Sequence, residues 1–362
     1  MKNFYARVLD WVAAGKPLAL CTIVEAEGSA PQKAGASALF SEEGLLGGTL
    51  GGGSVEAQAQ SAALLSLKRG CSSVLELALD DEVVELEGAL CGGRVKILVD
   101  VSIAQAIKTL REFQQSLSLR HSGLFVTLIA NPYGETPDVA RHWIVHDSGL
   151  EKIRKSRASL FDAEIGASLA EGQGAQPRLV KKVLPEDGQE IWAFLEPQAP
   201  HPRLVIAGAG HIGQALSGLG SLLDFEVTVI DDRSAFASRD RFPEADALIV
   251  EDIGRAIQEL SLGSDSYVVI VTRGHARDAD ALRASIGRGA AYIGMIGSKR
   301  KVALMRENFV RNGWAKESDL DLVHSPVGLQ IGSKTVGEIA VSIAAELVLV
   351  RSRARLKVGG AG

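Results

Sequence analysis

Residues 203–213 read RLVIAGAGHIG, and residues 225–233 read FEVTVIDDR. The first stretch is an apolar, β-branched run that enters the glycine pattern Gly208-Ala209-Gly210-His211-Ile212-Gly213. The second is another such run, and it ends in Asp231-Asp232, about 20 residues further on. A strand, a glycine turn, a helix and a second strand ending in an acid form the opening of a Rossmann-type sheet. Each glycine has its own physical task. Gly208 permits the tight turn, Gly210 lets backbone approach a phosphate, and Gly213 lets helix and sheet pack closely. The helix N-terminus then offers N–H groups and a positive dipole end to an anion. Asp231 or Asp232 stands where a ribose hydroxyl would donate.

The rhythm continues downstream. ALIVED (247–252), SYVVIVT (266–272) and AAYIGMIG (290–297) alternate with helical segments. That alternation predicts a doubly wound parallel sheet, an α/β fold, over residues 203–362. A last long helix is expected from about Val336, with Thr335 and Glu338 at capping-box spacing. His211 lies inside the turn and either donates to a phosphate or caps the turn. His275 follows a strand in Thr272-Arg273-Gly274-His275, at the carboxyl edge where ligands of such sheets bind. Asp278 sits near the next helix start, where its charge favours the dipole. Gly297-Ser298 opens a further helix and is a second candidate anion site, helped by Lys299, Arg300 or Lys301.

EPQAPHPR (196–203) is short, polar and proline-rich, and is the linker candidate. Before it, residues 1–196 mix strands and helices without βαβ alternation, which predicts an α+β domain. Strands are expected at 18–25, 36–40, 73–79, 94–101, 122–130, 141–146, 178–184 and 189–195, and a helix at 103–117. Gly47 to Glu56 reads GGTLGGGSVE. So dense a glycine run costs chain entropy, so the backbone there must turn through positive φ or approach something closely. Gly51, Gly52 and Gly53 lead into a helix that Ser54 is placed to cap, with Glu56 near its start. No Lys-Ser/Thr pair ends the run, so it is not a Walker A loop.

Cys91-Gly92-Gly93 places a thiol before two glycines, where backbone is open to a ligand. Thiolate suits soft or redox-active metals, while a small buried hydrophobe is the alternative for this residue. Cys21, within an apolar strand, and Cys71, beside Gly70, read as small hydrophobes. Three scattered cysteines give neither a disulfide framework nor zinc spacing, and a reducing cytoplasm is the expected compartment. The net charge of -5 gives no reason to expect nucleic acid. No apolar run reaches membrane-spanning length, so no membrane partner is expected. The N-terminal MKNFYARVLDWVAAGK carries Asp10 inside its apolar stretch and reads as an amphipathic helix rather than a signal peptide.

Taken in order, these segments resemble the xanthine dehydrogenase accessory factor (XdhC/CoxI) family. The resemblance rests on Gly28-Ser29-Ala30-Pro31 with Gly35-Ala36, Gly51-Gly52-Gly53 with Val55-Glu56, and Cys91-Gly92-Gly93. It continues in GAGHIG with Asp231-Asp232-Arg233, Thr272 to His275 with Asp278, Gly294 with Gly297 to Lys301, and Pro326 to Gly332 with Glu338-Ile339-Ala340. The resemblance implies a protein that binds molybdenum cofactor, protects it and helps insert its mature, often sulfurated form into xanthine dehydrogenase or a related molybdenum hydroxylase. It implies Cys91 near molybdenum, and the glycine turn at 208–213 facing the phosphate or nucleotide end of the cofactor. Three positions depart from the family pattern. Ser54 stands where many relatives have cysteine, Arg273 where they have the first histidine of His-x-His, and Val336 where they have proline.

The leading expectation is a cofactor-binding chaperone without turnover of its own. An NAD(P)-dependent oxidoreductase is the alternative, because the Rossmann turn and its acid suit NAD equally well, although no Lys-His or Tyr-Lys arrangement is evident. A third reading is an enzyme acting on the cofactor itself, with Cys91 as sulfur carrier. A cysteine desulfurase is then a second partner, beside the hydroxylase. A homodimer is expected, because an insertion factor must surround a large, labile cofactor.

Overall fold

The computed structural model describes residues 4–79, 93–145, 153, 156–172 and 175–359. It divides into two compact units, Asn3–Pro200 and His201–Lys357.

The first unit is built on antiparallel sheets. Its elements are α1 (Phe4–Ala13), β1 (Ala19–Glu27), β2 (Ser37–Ser41), β3 (Gly44–Gly48), α2 (Gly53–Arg69), β4 (Ser73–Leu79), β5 (Gly93–Asp100) and α3 (Ile107–Ser118). They continue with β6 (Gly123–Ala130), β7 (Asp138–Val145), α4 (Asp162–Glu171), β8 (Arg178–Val183) and β9 (Glu190–Gln198). Among the described residues one sheet has the order β3-β2-β1-β5-β4 and the other β7-β6-β9-β8. Strand β1 shows why it forms. Its alternate residues Ala19, Cys21 and Ile23 pack on Val55, Ala59 and Ala63 of α2. Leu20 turns the other way, towards Val8 and Val12 of α1 and Leu110 and Phe113 of α3. Both faces are covered, so an almost unbroken apolar run suits the strand, and each large side chain such as Leu20 or Ile23 contributes about 1.5–3 kcal/mol. Strand β3 is hidden in the sequence by its glycines. The geometry explains them, since a Cβ at Gly48 would stand 2.2 Å from the Ser37 carbonyl oxygen.

The two sheets of this unit meet over Val24, Leu98, Ile129, Trp192 and Phe194. Beside that apolar seam lies a buried polar group. Arg141 of β7 pairs with Asp100 of β5, with the two side chains 2% and 0% exposed. Asp100 also accepts from Ser72 Oγ at 3.1 Å and from Ser102 N at 2.7 Å. One guanidinium matched by one carboxylate leaves no counter-charge for Glu196 of β9, itself 3% exposed. Burial pushes the Glu196 carboxyl up to about 8, and Arg141 opposes this only in part.

The second unit is the parallel sheet expected from the sequence. Its elements are β10 (Arg203–Ala207), α5 (His211–Leu222), β11 (Glu226–Asp231), β12 (Ala247–Val250), α6 (Ile253–Glu259), β13 (Ser266–Ile270), α7 (His275–Ser285) and β14 (Tyr292–Met295). They end with α8 (Lys299–Arg311), α9 (Glu317–Leu320), β15 (Val323–His324) and α10 (Val336–Gly359). Among the described residues the order is β12-β11-β10-β13-β14-β15, with every pair parallel. This is the Rossmann order, and its reversal falls between β10 and β13. Alternation along the strands sorts the two faces. Leu204, Ile206, Val227, Val229, Tyr267 and Val269 join the core with Leu216 of α5 and Ile343 and Leu347 of α10. Val205, Ala207, Ile230, Val268 and Ile270 join the opposite core with Ile257 of α6, Leu282 of α7 and Phe309 of α8. Thr335 and Glu338 form the capping box. Thr335 N donates to Glu338 Oε2 at 2.9 Å, and Glu338 N donates to Thr335 Oγ1 at 3.3 Å.

The neutral state of Glu196 sets a pH signature. Its folded pKa lies above the unfolded value of about 4.3, so its stabilising contribution is complete below that pH and is lost as pH rises towards 8. Glu196→Gln removes the proton step. The variant should gain on the wild type across this window, by on the order of 2–4 kcal/mol at pH 8. Denaturant melts at pH 5 and pH 8 check it, and a pH-independent difference would show that Glu196 is ionised in the fold.

Candidate functional site

The glycine turn sits at the carboxyl edge of the parallel sheet, after β10. Gly208 has φ +117°, and a Cβ there would lie 2.5 Å from the Val271 carbonyl oxygen. At Gly213 a Cβ would lie 2.1 Å from the Gly208 carbonyl oxygen. These two glycines serve the packing of turn, helix and strand. Gly210 differs, because its φ is -74° and a Cβ there would meet nothing within 4 Å. Neither backbone strain nor packing requires glycine at that position. It is the N-cap of α5 and makes no side-chain cap, and His211 is the exposed first residue of the helix rather than its cap.

Asp231 serves the turn itself. Its Oδ2 accepts from Ala209 N at 2.8 Å and from the Arg233 guanidinium at 2.9 Å, while Oδ1 accepts from Arg233 N at 3.0 Å and Nε at 2.8 Å. The residue is 2% exposed. Burial would raise its pKa, but the Arg233 pair and the two N–H groups outweigh burial and hold the carboxyl at about 2. The neighbouring acid behaves differently. Asp232 lies at the surface and pairs with Arg277, and with Arg273 at 3.6 Å. Arg273, the departure from the family's His-x-His, is thus one of the cations on Asp232.

A cavity of about 550 Å³ opens beyond the turn, over the ends of β13 and β14. Its lining includes Thr272, His275, Asp278, Gly297, Ser298 and Lys301. It brings together His275 and Ser298, which the sequence named separately. Ser298 caps α8, its side chain accepting from Lys301 N at 3.4 Å. Asp278 is more than a favourable helix-end charge. It is buried and accepts from Thr272 Oγ1 at 2.6 Å. Burial raises its pKa, against the pull of Thr272, His275 and Lys301. The remaining wall is the segment Pro326–Ser333. It is pinned by Gly328 N to Glu346 Oε2 at 2.8 Å and by Leu329 N to the Ser342 carbonyl at 3.1 Å. In the sequence this segment stands out only through the family resemblance. Its place in the cavity wall carries no local signal, because Glu346 meets it from another helix.

In the first unit, Gly51, Gly52 and Gly53 have φ of 103°, 74° and 59°. The glycine run is thus a turn through the left-handed region, where any other residue is strained. Ser54 does not cap α2. The N-cap is Gly52 and no side chain caps it, which leaves Ser54 exposed within the first turn. Glu56 folds back on the turn instead, accepting from Thr49 Oγ1 at 2.9 Å and Leu50 N at 3.1 Å. Motifs distant in sequence meet here. A Cβ at Gly51 would lie 2.8 Å from Pro31, and one at Gly93 would lie 2.8 Å from the Ser29 carbonyl oxygen. Cys91 and Gly92 fall outside the described residues. Cys21 is fully buried, its Sγ pointing to the Ala59 carbonyl, and burial pushes its thiol pKa far up. Among the described residues no group of three His, Cys, Asp or Glu is placed to hold a metal, and no helix is long and apolar enough to cross a membrane.

These features define a two-unit protein whose Rossmann unit carries a glycine turn and an adjoining cavity on one sheet edge. Residues 204–347 match the XdhC Rossmann domain, and residues 11–78 match the XdhC and CoxI family. The chain belongs to the xanthine dehydrogenase accessory factor (XdhC/CoxI) family. It is 28% identical over 360 residues to a probable xanthine dehydrogenase subunit from Bacillus subtilis, covering 98% of this chain and 99% of that one. It is 29% identical over 211 residues to the uncharacterized protein YqeB of Escherichia coli, covering 58% of this chain but only 37% of that protein. In fold it is similar to a crystal structure described as a xanthine dehydrogenase from Bacillus halodurans. The TM-score is 0.72 at 24% identity, over 98% of this chain and 97% of that one.

Asp231→Asn should destabilise the second unit by about 2–3 kcal/mol at pH 7, from the depressed pKa of the carboxyl. A depressed pKa contributes stability above the unfolded value of about 3.9 and loses it as pH falls towards 2. The difference between wild type and variant should therefore shrink from pH 4 to pH 2. Chemical denaturation at those two pH values and at pH 7 checks it, and a constant difference would place the loss elsewhere.

Proposed function

We propose that this protein is a maturation factor that holds molybdenum cofactor and helps insert it, in sulfurated form, into xanthine dehydrogenase or a related molybdenum hydroxylase. Family membership supports the reading, as does the name of the Bacillus subtilis relative, which matches nearly end to end. The structural observation that carries it is Gly210. Its bare Cα faces open space at the start of a helix, where backbone N–H groups suit the phosphate of the cofactor. His211 and Asp232 flank that position in sequence and at the sheet edge. Molybdenum cofactor is cargo here, and the protein needs no turnover of its own. Cys91 is the thiol assigned to molybdenum, as thiolate ligand or as acceptor of sulfur from a cysteine desulfurase. The glycine run Gly51–Gly53, with Ser54 and Glu56, meets the Ser29–Pro31 loop beside Gly93, and this cluster of the first unit is the surface we assign to the cofactor there.

For the nicotinamide reading only Asp232 remains as a ribose acceptor. Asp231, at the end of β11 where a ribose acceptor would stand, spends both oxygens on Ala209 and Arg233. The protein works in the cytoplasm, where the client is assembled, and as a homodimer. Light scattering at micromolar concentration should give twice the mass of the chain, and a monomer would remove the dimer from the reading.

The deciding experiment is purification from a cofactor-producing, molybdenum-replete host, with molybdenum and pterin measured together. Wild type should carry both. Cys91→Ser should lose most of the molybdenum while melting within a few degrees of wild type, because the size change is small. Gly210→Val should lose pterin without unfolding, since space is open there. Cys71→Ser should retain both. Wild type that carries neither molybdenum nor pterin ends the proposal. A folded Cys91→Ser protein that retains cofactor but fails to activate its client shifts Cys91 from ligand to sulfur relay.

A further inference from the structure

The cavity over β13 and β14 is a separate feature from the glycine turn, and the proposed function does not use it. Its volume of about 550 Å³ lies within the range of small-molecule pockets, about 300–1,000 Å³. Its walls differ in kind. Thr272, His275, Asp278, Ser298 and Lys301 make one side polar, while Ile296, Val327, Leu329, Ile331 and Ile339 make the other apolar. Two helices of 11 and 13 residues, α7 and α8, begin at its rim, at Gly274 and Ser298. Lys301 and His275 are both close enough to Asp278 for their charge to act on it. Burial raises the pKa of Asp278, and its carboxyl accepts from Thr272 Oγ1, with Lys301 and His275 as the nearby cations.

Gly297 keeps the rim of the cavity open. Its backbone is not left-handed, and a Cβ there would meet only ordinary contacts, Val302 at 3.4 Å and Lys301 at 4.0 Å. As at Gly210, neither strain nor packing requires the missing side chain. Here too the bare backbone borders open space that could admit a ligand, between the polar wall and the start of α8.

We propose that this cavity is a nucleoside monophosphate site, distinct from the glycine turn. The phosphate lies at the start of α8 among Ser298, Lys301 and His275. The flat, weakly polar base lies against Ile296, Val327, Leu329 and Ile331. Rigid attachment suits this wall to a ring, because Val327 N donates to the Met295 carbonyl at 3.1 Å and Gly328 N to Glu346. The site goes beyond the cofactor-binding reading and does not depend on it.

The test is calorimetry with guanosine 5′-monophosphate, guanosine and inorganic phosphate as probes. The monophosphate should bind at least tenfold more tightly than either part alone. Lys301→Glu, at an exposed position, should weaken it at least tenfold, and Gly297→Leu should weaken it as much by filling the rim. Gly210→Val should leave it within twofold. Thermal melts confirm that each variant is folded. The proposal is overturned if the monophosphate fails to bind wild type at millimolar concentration, if inorganic phosphate binds equally well, or if both cavity variants keep full affinity. Loss of all monophosphate binding in Gly210→Val also overturns it, by assigning the nucleotide to the turn. Molybdenum and pterin content of the same preparations is scored separately, so failure of one proposal leaves the other intact.

Discussion

The Asp231 carboxylate holds the Rossmann edge together. It reaches back from the end of β11 to the N–H of Ala209, inside the glycine turn that follows β10. A buried N–H without a partner would cost on the order of 1–3 kcal/mol, and the carboxylate removes that cost at Ala209. Arg233 supplies the counter-charge that lets a nearly inaccessible carboxylate stay ionised. The consequence is functional as well as structural. An acid that locks the turn is not free to recognise a sugar, and the exposed Asp232 beside it is paired with Arg277 and Arg273.

Glycine has two distinct uses in this protein. Gly48, Gly208 and Gly213 are demanded by packing, because a Cβ at each would fall within 2.5 Å of a backbone oxygen. Gly51, Gly52 and Gly53 are demanded by backbone conformation. Gly210 and Gly297 are demanded by neither, and both lie on the carboxyl edge of the parallel sheet. At these two positions the fold leaves the backbone bare beside open space.

The first unit solves a different problem. Two antiparallel sheets share a seam of apolar side chains, and the polar cluster of Asp100, Arg141 and Glu196 sits beside it. A buried pair of opposite charges is of modest net benefit, but breaking it leaves an uncompensated ion. The cluster's third member stays neutral because the nearby cation, Arg141, is already matched by Asp100.

The parallel sheet was legible in the sequence because its signals are local. Its first five strands, runs of four to six residues separated by helical periods and punctuated by GAGHIG, carry their own period and turn chemistry, whereas the two-residue β15 carries none. The α+β character of the first unit and the capping box of the last helix were legible for the same reason. Other features were not. Strand β3 looks like a loop by composition, since what makes it a strand is close approach to β2. Ser54 has the chemistry of a cap, but three left-handed glycines start the helix before it. Asp231 and Asp232 look equivalent in sequence, yet one faces the turn and the other solvent. The cavity joins Thr272, Ser298 and Pro326–Ser333, segments brought together only by the order of β13, β14 and β15. Sequence by itself determined what each segment can form, because propensity and capping act over a few residues. Tertiary structure alone decided which polar groups are spent on the fold and which remain for a ligand, because that depends on partners far away along the chain.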